Sequence, residues 1–209
     1  MLFSFSLNAC FKDITQRNVI YFNDFENQSR PYINVYNAVG PIDSSKITLF
    51  NNTHVLGRFN NDLVLFEMDN LPNHNVLKVE FDLYLHDNWK GNYIAPGRTA
   101  PELWYLLLDN NNIYQTSFSN NNFDQSFPNN YQAGMTSIKA LSNAWGVLPG
   151  ICAKAGQEKG TSMYKIEIIT SHKGAIKLAF NNDASTPLTL CEKSWSIDNL
   201  KLTAITNQF

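Results

Sequence analysis

Between residues 76 and 87 apolar and polar side chains alternate without a break. Leu77, Val79, Phe81, Leu83 and Leu85 share one parity; Lys78, Glu80, Asp82, Tyr84 and His86 share the other. Successive side chains of an extended chain point to opposite sides, so a period of two marks a strand with one dry and one wet face. Shorter runs of this kind predict strands over 19–25, 32–39, 46–50, 54–59, 62–68, 103–109, 113–118, 163–171, 175–180 and 195–204, which with 76–87 makes eleven. No long stretch carries the 3.6-residue period of an amphipathic helix. Clusters such as Asn51-Asn52, Asn60-Asn61 and Asn110 to Asn112 fall between these runs. Asn tolerates the left-handed backbone that tight turns require, so the clusters read as turns, and 110–112 as a hairpin. Short strands punctuated in this way predict an all-β, antiparallel sandwich of two sheets.

One stretch breaks the rhythm. Residues 120–162 are polar, lack alternation and contain Pro128, Gly134, Pro149, Gly150, Gly156 and Gly160, with a short helix expected over 137–144. Long irregular loops inside a compact domain are often functional. This insertion carries Tyr131 and Trp145 and is the first candidate for a ligand-facing surface; the plainer reading is a meandering connection stapled by Cys152. Residues 19–209 are expected to form a single domain, since sandwiches reach about 250 residues as one unit, with 1–18 as a targeting or extension segment.

A net charge of -2 and a pI near 6.1 give no basic stripe with which to hold nucleic acid. At the N-terminus the apolar run Leu2 to Leu7 leads into Leu7-Asn8-Ala9-Cys10, which resembles a bacterial lipoprotein box with Cys10 as the lipidated residue. Nothing else approaches the ~18 consecutive apolar residues of a membrane span, so membrane contact is expected only through a lipid anchor. Cys152 and Cys191 fit one disulfide in an oxidising compartment. Together these place the chain outside the cytoplasm, lipid-anchored at the cell surface or secreted.

The last strand holds an anomaly. In Trp195-Ser196-Ile197-Asp198-Asn199-Leu200-Lys201-Leu202, Asp198 has the parity of Leu200 and Leu202; near the other end Asp24 shares parity with Ile20 and Phe22, and Glu26 follows. A carboxylate directed at the core needs a partner. If the first and last strands are neighbours, Asp24, Glu26 and Asp198 are expected to supply oxygens to one structural Ca²⁺; the alternative is carboxylates hydrogen-bonded to backbone at the rim.

Several segments carry a resemblance. They are Leu56-Gly57-Arg58-Phe59, Phe81-Asp82-Leu83-Tyr84 with Asp87-Asn88-Trp89-Lys90-Gly91-Asn92, Pro101-Glu102-Leu103-Trp104, Gln125-Ser126-Phe127-Pro128 and the closing Ser194-Trp195-Ser196-Ile197-Asp198-Asn199. Together they resemble a group of secreted domains of the concanavalin A-like jelly-roll fold that end in a Ser-Trp-Gly-Ile-Asp-Asn-type motif. Asp24-Phe25-Glu26 with Ile197-Asp198-Asn199 is distantly similar to the first and last strands of MAM and laminin-G-like modules. The resemblance implies a jelly roll, a surface adhesion or carbohydrate-binding role, and often structural calcium. Lys90 and Lys193 stand where that group tends to carry acids.

Catalytic patterns are thin. Glu80-Phe81-Asp82-Leu83-Tyr84 begins the Glu-x-Asp-x-Glu spacing of a sandwich glycoside hydrolase, but Tyr84 replaces the second Glu. His54, His74, His86 and His172 lack zinc-site spacing, and no nucleophile elbow or phosphate loop is present. The expected function is therefore a non-catalytic binding or adhesion module for a glycan or surface protein. Trp89, Trp104, Tyr131 and Trp145 are the candidate stacking residues, with Tyr84 and His86 beside them. Two alternatives differ in class: a subunit that assembles with itself into oligomers or filaments by strand addition, with residues 1–14 as donor, and a glycoside hydrolase-like enzyme.

Overall fold

The computed structural model describes residues 15–42, 44–184 and 189–207. These residues contain no helix and form twelve strands in two antiparallel sheets. The strands are β1 (Thr15–Asn23), β2 (Ile33–Tyr36), β3 (Ile47–Phe50), β4 (Thr53–Phe59), β5 (Leu63–Met68) and β6 (Val76–Asp87), followed by β7 (Leu103–Leu108), β8 (Asn111–Thr116), β9 (Gly146–Leu148), β10 (Thr161–Ser171), β11 (Ile176–Asp183) and β12 (Lys193–Asn207). The larger sheet runs β3-β4-β12-β6-β10-β9, and β1 also pairs with β12; the smaller runs β2-β5-β11-β7-β8.

Strand β6 matches the alternation that predicts it, and Leu77, Val79, Phe81, Leu83 and Leu85 are all buried in the core. Between the sheets, Trp104 of β7 lies against Phe81 and, edge-on, against Trp195, with ring centroids 5.7 and 6.0 Å apart. Aromatic pairs at such distances add to the free energy of burial itself. The hairpin after β7 turns one residue earlier than its Asn run suggests. Leu108 pairs with Asn111, and Asp109 and Asn110 both take positive φ (51° and 65°). Both central residues of a two-residue type I′ turn need that conformation, which Asp and Asn tolerate.

The insertion folds without the expected helix. Leu141 and Asn143 adopt left-handed φ values of 62° and 61°, which a right-handed helix cannot contain. Buried Gln125 organises the segment instead: its main chain exchanges both hydrogen bonds with Ile138, and its side-chain oxygen accepts from the Leu141 N–H at 3.2 Å. A disulfide joins Cys152 to Cys191, so the insertion is tied to the approach to β12.

Candidate functional site

The outer face of the larger sheet, turned away from the core, changes character along its length. On the first rungs of β6, Lys78 pairs with Glu80 and Glu167 at 2.9 Å each, and Lys201 stands 3.4 Å from Glu80. In the next row Asp198, Asp82 and Lys165 lie side by side on β12, β6 and β10. Lys165 Nζ donates to Asp82 Oδ1 and Asn199 Nδ2 donates to Asp82 Oδ2, each at 2.9 Å. Beyond these come Ser196, Tyr84 and Met163, then Ser194, His86 and Thr161.

The parity argument for Asp198 fails for a local reason. Register shifts between Asp198 and Lys201, and Asn199 takes φ 52°. A bulge inserts one unpaired residue and moves the rest of the strand by one step. Ile197 and Leu200 therefore both face the core, while Asp198 faces outward opposite Asp82. Strand β1 has a similar shift between Val19 and Tyr21, which leaves Tyr21, Asn23 and Phe25 buried and turns Phe22 and Asp24 to solvent. Glu26 is engaged elsewhere: its side chain accepts from the Thr53 hydroxyl and the His54 N–H and faces the His54 ring, contacts that hold it down at about 2. Asp24 and Glu26 lie close enough for their charges to act on Asp198, with Asp24 turned to solvent and Glu26 engaged by Thr53 and His54. Among the described residues no three His, Cys, Asp or Glu side chains are arranged to hold a metal ion.

Burial dominates the electrostatics of this face. Asp198 is 3% exposed; burial, assisted by the negative charges of Asp82, Glu26 and Asp24, raises its carboxyl to about 6 although the Asn199 N–H donates to it at 2.7 Å. Tyr84 is pushed up to about 12 by burial and by the charges of Asp198 and Asp82. His86 is pushed down to about 3 by burial and then by the positive Arg58. Its ring nitrogens meet Thr161 Oγ1 at 3.3 Å and Ser196 Oγ at 3.0 Å. Gly57 lies opposite Ser196, and a Cβ there would come within 2.1 Å of the Ser196 hydroxyl oxygen. The missing side chain is what allows β4 to close on β12.

The predicted ligand-facing residues separate into two groups. Trp89 and Trp104 are 1% and 0% exposed, so their ring faces are taken by the fold; the Trp89 indole N–H donates to the Ser194 carbonyl at 2.9 Å. Tyr84 and His86 are buried too, with the Phe50 ring against both at 5.4 and 4.8 Å. Tyr84 and His86 lie on the outward side that the alternation of β6 predicts but are covered there, and Trp89 and Trp104 are enclosed in the core. Tyr131 is half-buried where its segment bonds to β8, its N–H donating to the Gln115 carbonyl at 2.8 Å. Trp145 is 71% exposed, with Lys165 Nζ 5.2 Å from its ring centre. Cys10 and the donor segment 1–14 lie outside the described residues.

Next to Trp145 the outer face holds a recess of about 510 Å³. Glu80, Asp82, Lys165, Asn199 and Lys201 line it, and Phe22, itself 57% exposed, forms one bank. Lys165 therefore joins two features, since its ammonium touches the recess carboxylate and lies over the Trp145 ring. Sequence reasoning missed Phe22, Lys165 and Asn199. Parity points Phe22 inward, and the other two gain meaning only through cross-strand register.

At one end of the sandwich a second polar feature is closed from solvent. Lys193 pairs with Glu102 in a buried contact, and its ammonium lies 5.6 Å from the Trp89 ring centre. Burial and the positive charges of Lys90 and Arg98 lower Lys193 to about 7, against the pull of the touching carboxylate.

No family model matches the chain, and neither does any curated protein.

Proposed function

We propose that this protein is a non-catalytic, extracytoplasmic binding module whose ligand, a glycan in preference to a protein, lies across the outer face of the larger sheet between Phe22 and Trp145. The observation that carries the reading is the exposed Trp145 beside the recess, with Phe22 on the far bank and hydrogen-bonding groups between. Strands β1, β12, β6 and β10 are successive neighbours. Trp145 immediately precedes β9, which pairs with β10, so four interstrand spacings put the banks roughly 19 Å apart, which suits an extended ligand. Exposed aromatic rings offer faces to the C–H surfaces of sugars, while carboxylates, amides and ammonium groups address hydroxyls. The disulfide agrees with an oxidising compartment, and a lipid anchor at Cys10 belongs to the same reading. So does a jelly roll of the concanavalin A-like kind, supported by the first and last strands being neighbours.

Hydrolysis is the weaker reading. A glycosidase needs two carboxylates that reach the bond to be cut, whereas both Asp82 oxygens are held by Lys165 and Asn199 and Asp198 opposite it is 3% exposed. The test is a glycan array followed by calorimetry on the glycans retained. Trp145→Ala and Phe22→Ala are each expected to weaken binding by about tenfold, while leaving the thermal midpoint within a degree or so. Unchanged affinity in both variants would overturn the assignment of this face, and bond cleavage would overturn the non-catalytic reading.

A further inference from the structure

A second recess, of about 470 Å³, lies within the insertion and shares no lining residue with the first. Lys139, Lys154 and Lys159 line it with Asn121 and Asn122, and the acid in its wall is Asp124. Three cations thus meet one carboxylate in a protein whose net charge is -2. Asp124 already accepts a hydrogen bond from the Ser137 hydroxyl at 2.8 Å.

The three lysines are not equivalent. Lys154 is fixed: its main-chain N–H donates to Asp87 Oδ1 at 3.0 Å, and its ammonium donates to the Asn120 carbonyl. Cys152, two residues before it, donates to the same Asp87 oxygen at 3.0 Å and is disulfide-bonded to Cys191. Burial lowers the Lys154 pKa, and Asp87 partly restores it. Even with Asp87 counted as the counterion of Lys154 and Asp124 set against a second lysine, one positive charge is left over. Lys139 and Lys159 are exposed and make no ion pair among the described residues. The Asn121 carboxamide already donates to the Trp89 carbonyl at 2.8 Å, whereas ammonium groups are donors that match the oxygens of a carboxylate or sulfate. The volume falls within the range of small-ligand sites. Among the described residues no aromatic side chain lines the recess, so none of them would stack on a nucleobase.

We propose that this recess is an anion subsite that binds the carboxylate or sulfate group of an acidic saccharide through Lys139, Lys154 and Lys159. It stands independently of the Phe22–Trp145 face.

The full chain is titrated calorimetrically with oligogalacturonate, dextran sulfate and neutral dextran. Binding of an acidic probe without binding of neutral dextran is expected, and the better of the two acids identifies the group. Lys139→Ala combined with Lys159→Ala is expected to weaken that binding by about tenfold, whereas the control pair Lys173→Ala with Lys177→Ala leaves it unchanged. Equal weakening by both pairs would mean diffuse attraction and overturn the site, as would failure of both acidic probes to bind. Both substituted lysines are exposed, and an unchanged melting curve checks that the variant is folded.

Discussion

Asp82 and Asp198 stand directly opposite one another on neighbouring antiparallel strands, both turned to the outer side of the larger sheet and both buried. Like charges in that relation repel. Asp82 is compensated by Lys165 and Asn199, whereas among the described residues Asp198 accepts only the Asn199 N–H. The two acids therefore differ in environment although they share a rung.

Replacing Asp198 by Asn is expected to stabilise the protein at neutral pH. The folded-state value of about 6 lies above the ~3.9 of an unfolded aspartate. The folded chain keeps a proton that the unfolded chain has released, so stability from this group falls as pH rises from about 4 to about 6. Asn retains the acceptor for the Asn199 N–H and removes the charge. The expected gain is about 2 kcal/mol at pH 7, fading to nothing near pH 4. Urea denaturation at both pH values checks it; an equal gain at both would rule out the charge as its source.

His86 acts in the opposite direction. Its value of about 3 lies below the ~6.5 of an unfolded histidine, so acid protonates the unfolded chain first. Stability is expected to drop as pH falls from about 6.5 towards 3, by up to about 3 kcal/mol at pH 4. His86→Gln should flatten that limb of the stability curve. Between pH 4 and 6 the slopes from Asp198 and His86 have opposite sign, so each single variant should expose the slope of the other. If the acid limb of the His86→Gln variant overlays that of the parent, buried His86 is not its cause.

Breaking the Lys193–Glu102 contact removes an ion pair from a buried site. Lys193→Met or Glu102→Gln alone is expected to cost about 3–5 kcal/mol, and the double variant to recover most of it. Thermal unfolding of the four proteins closes the cycle. Additive losses would show that the two side chains are not coupled.

Reduction of the disulfide should loosen the insertion. The closed loop spans 39 positions, worth about 3–4 kcal/mol on the chain-entropy model. A lowered thermal midpoint in the presence of reductant is the expected result, reproduced by Cys152→Ser with Cys191→Ser. A midpoint indifferent to reductant would mean the bond is not formed in solution.

The strands were legible wherever apolar and polar side chains alternate. Strand β6 is the clearest case, and the Asp109–Asn110 turn lies within one residue of its signal. Strand β9 was missed because Gly146 to Leu148 is too short to show a period. Two bulges defeated the parity reading of the site, because one extra residue in a strand reverses every inward and outward assignment beyond it. That placed Phe22 inside and Asp198 in the core, the reverse of where they lie. The grouping of Phe22, Asp82, Lys165 and Trp145 arises from register among four strands far apart in sequence, and no local pattern encodes it.

Strand β12 is bonded by β6 along one side and by both β4 and β1 along the other. During synthesis β1, β4 and β6 all emerge well before residues 193–207, and until then they lack the shared neighbour that completes their ladders. The nascent chain must pass through a stage with several unsatisfied edges, at which annealing to another chain competes with self-completion. How soon residues 193–207 become available to the folding chain therefore bears on how much protein reaches the folded state.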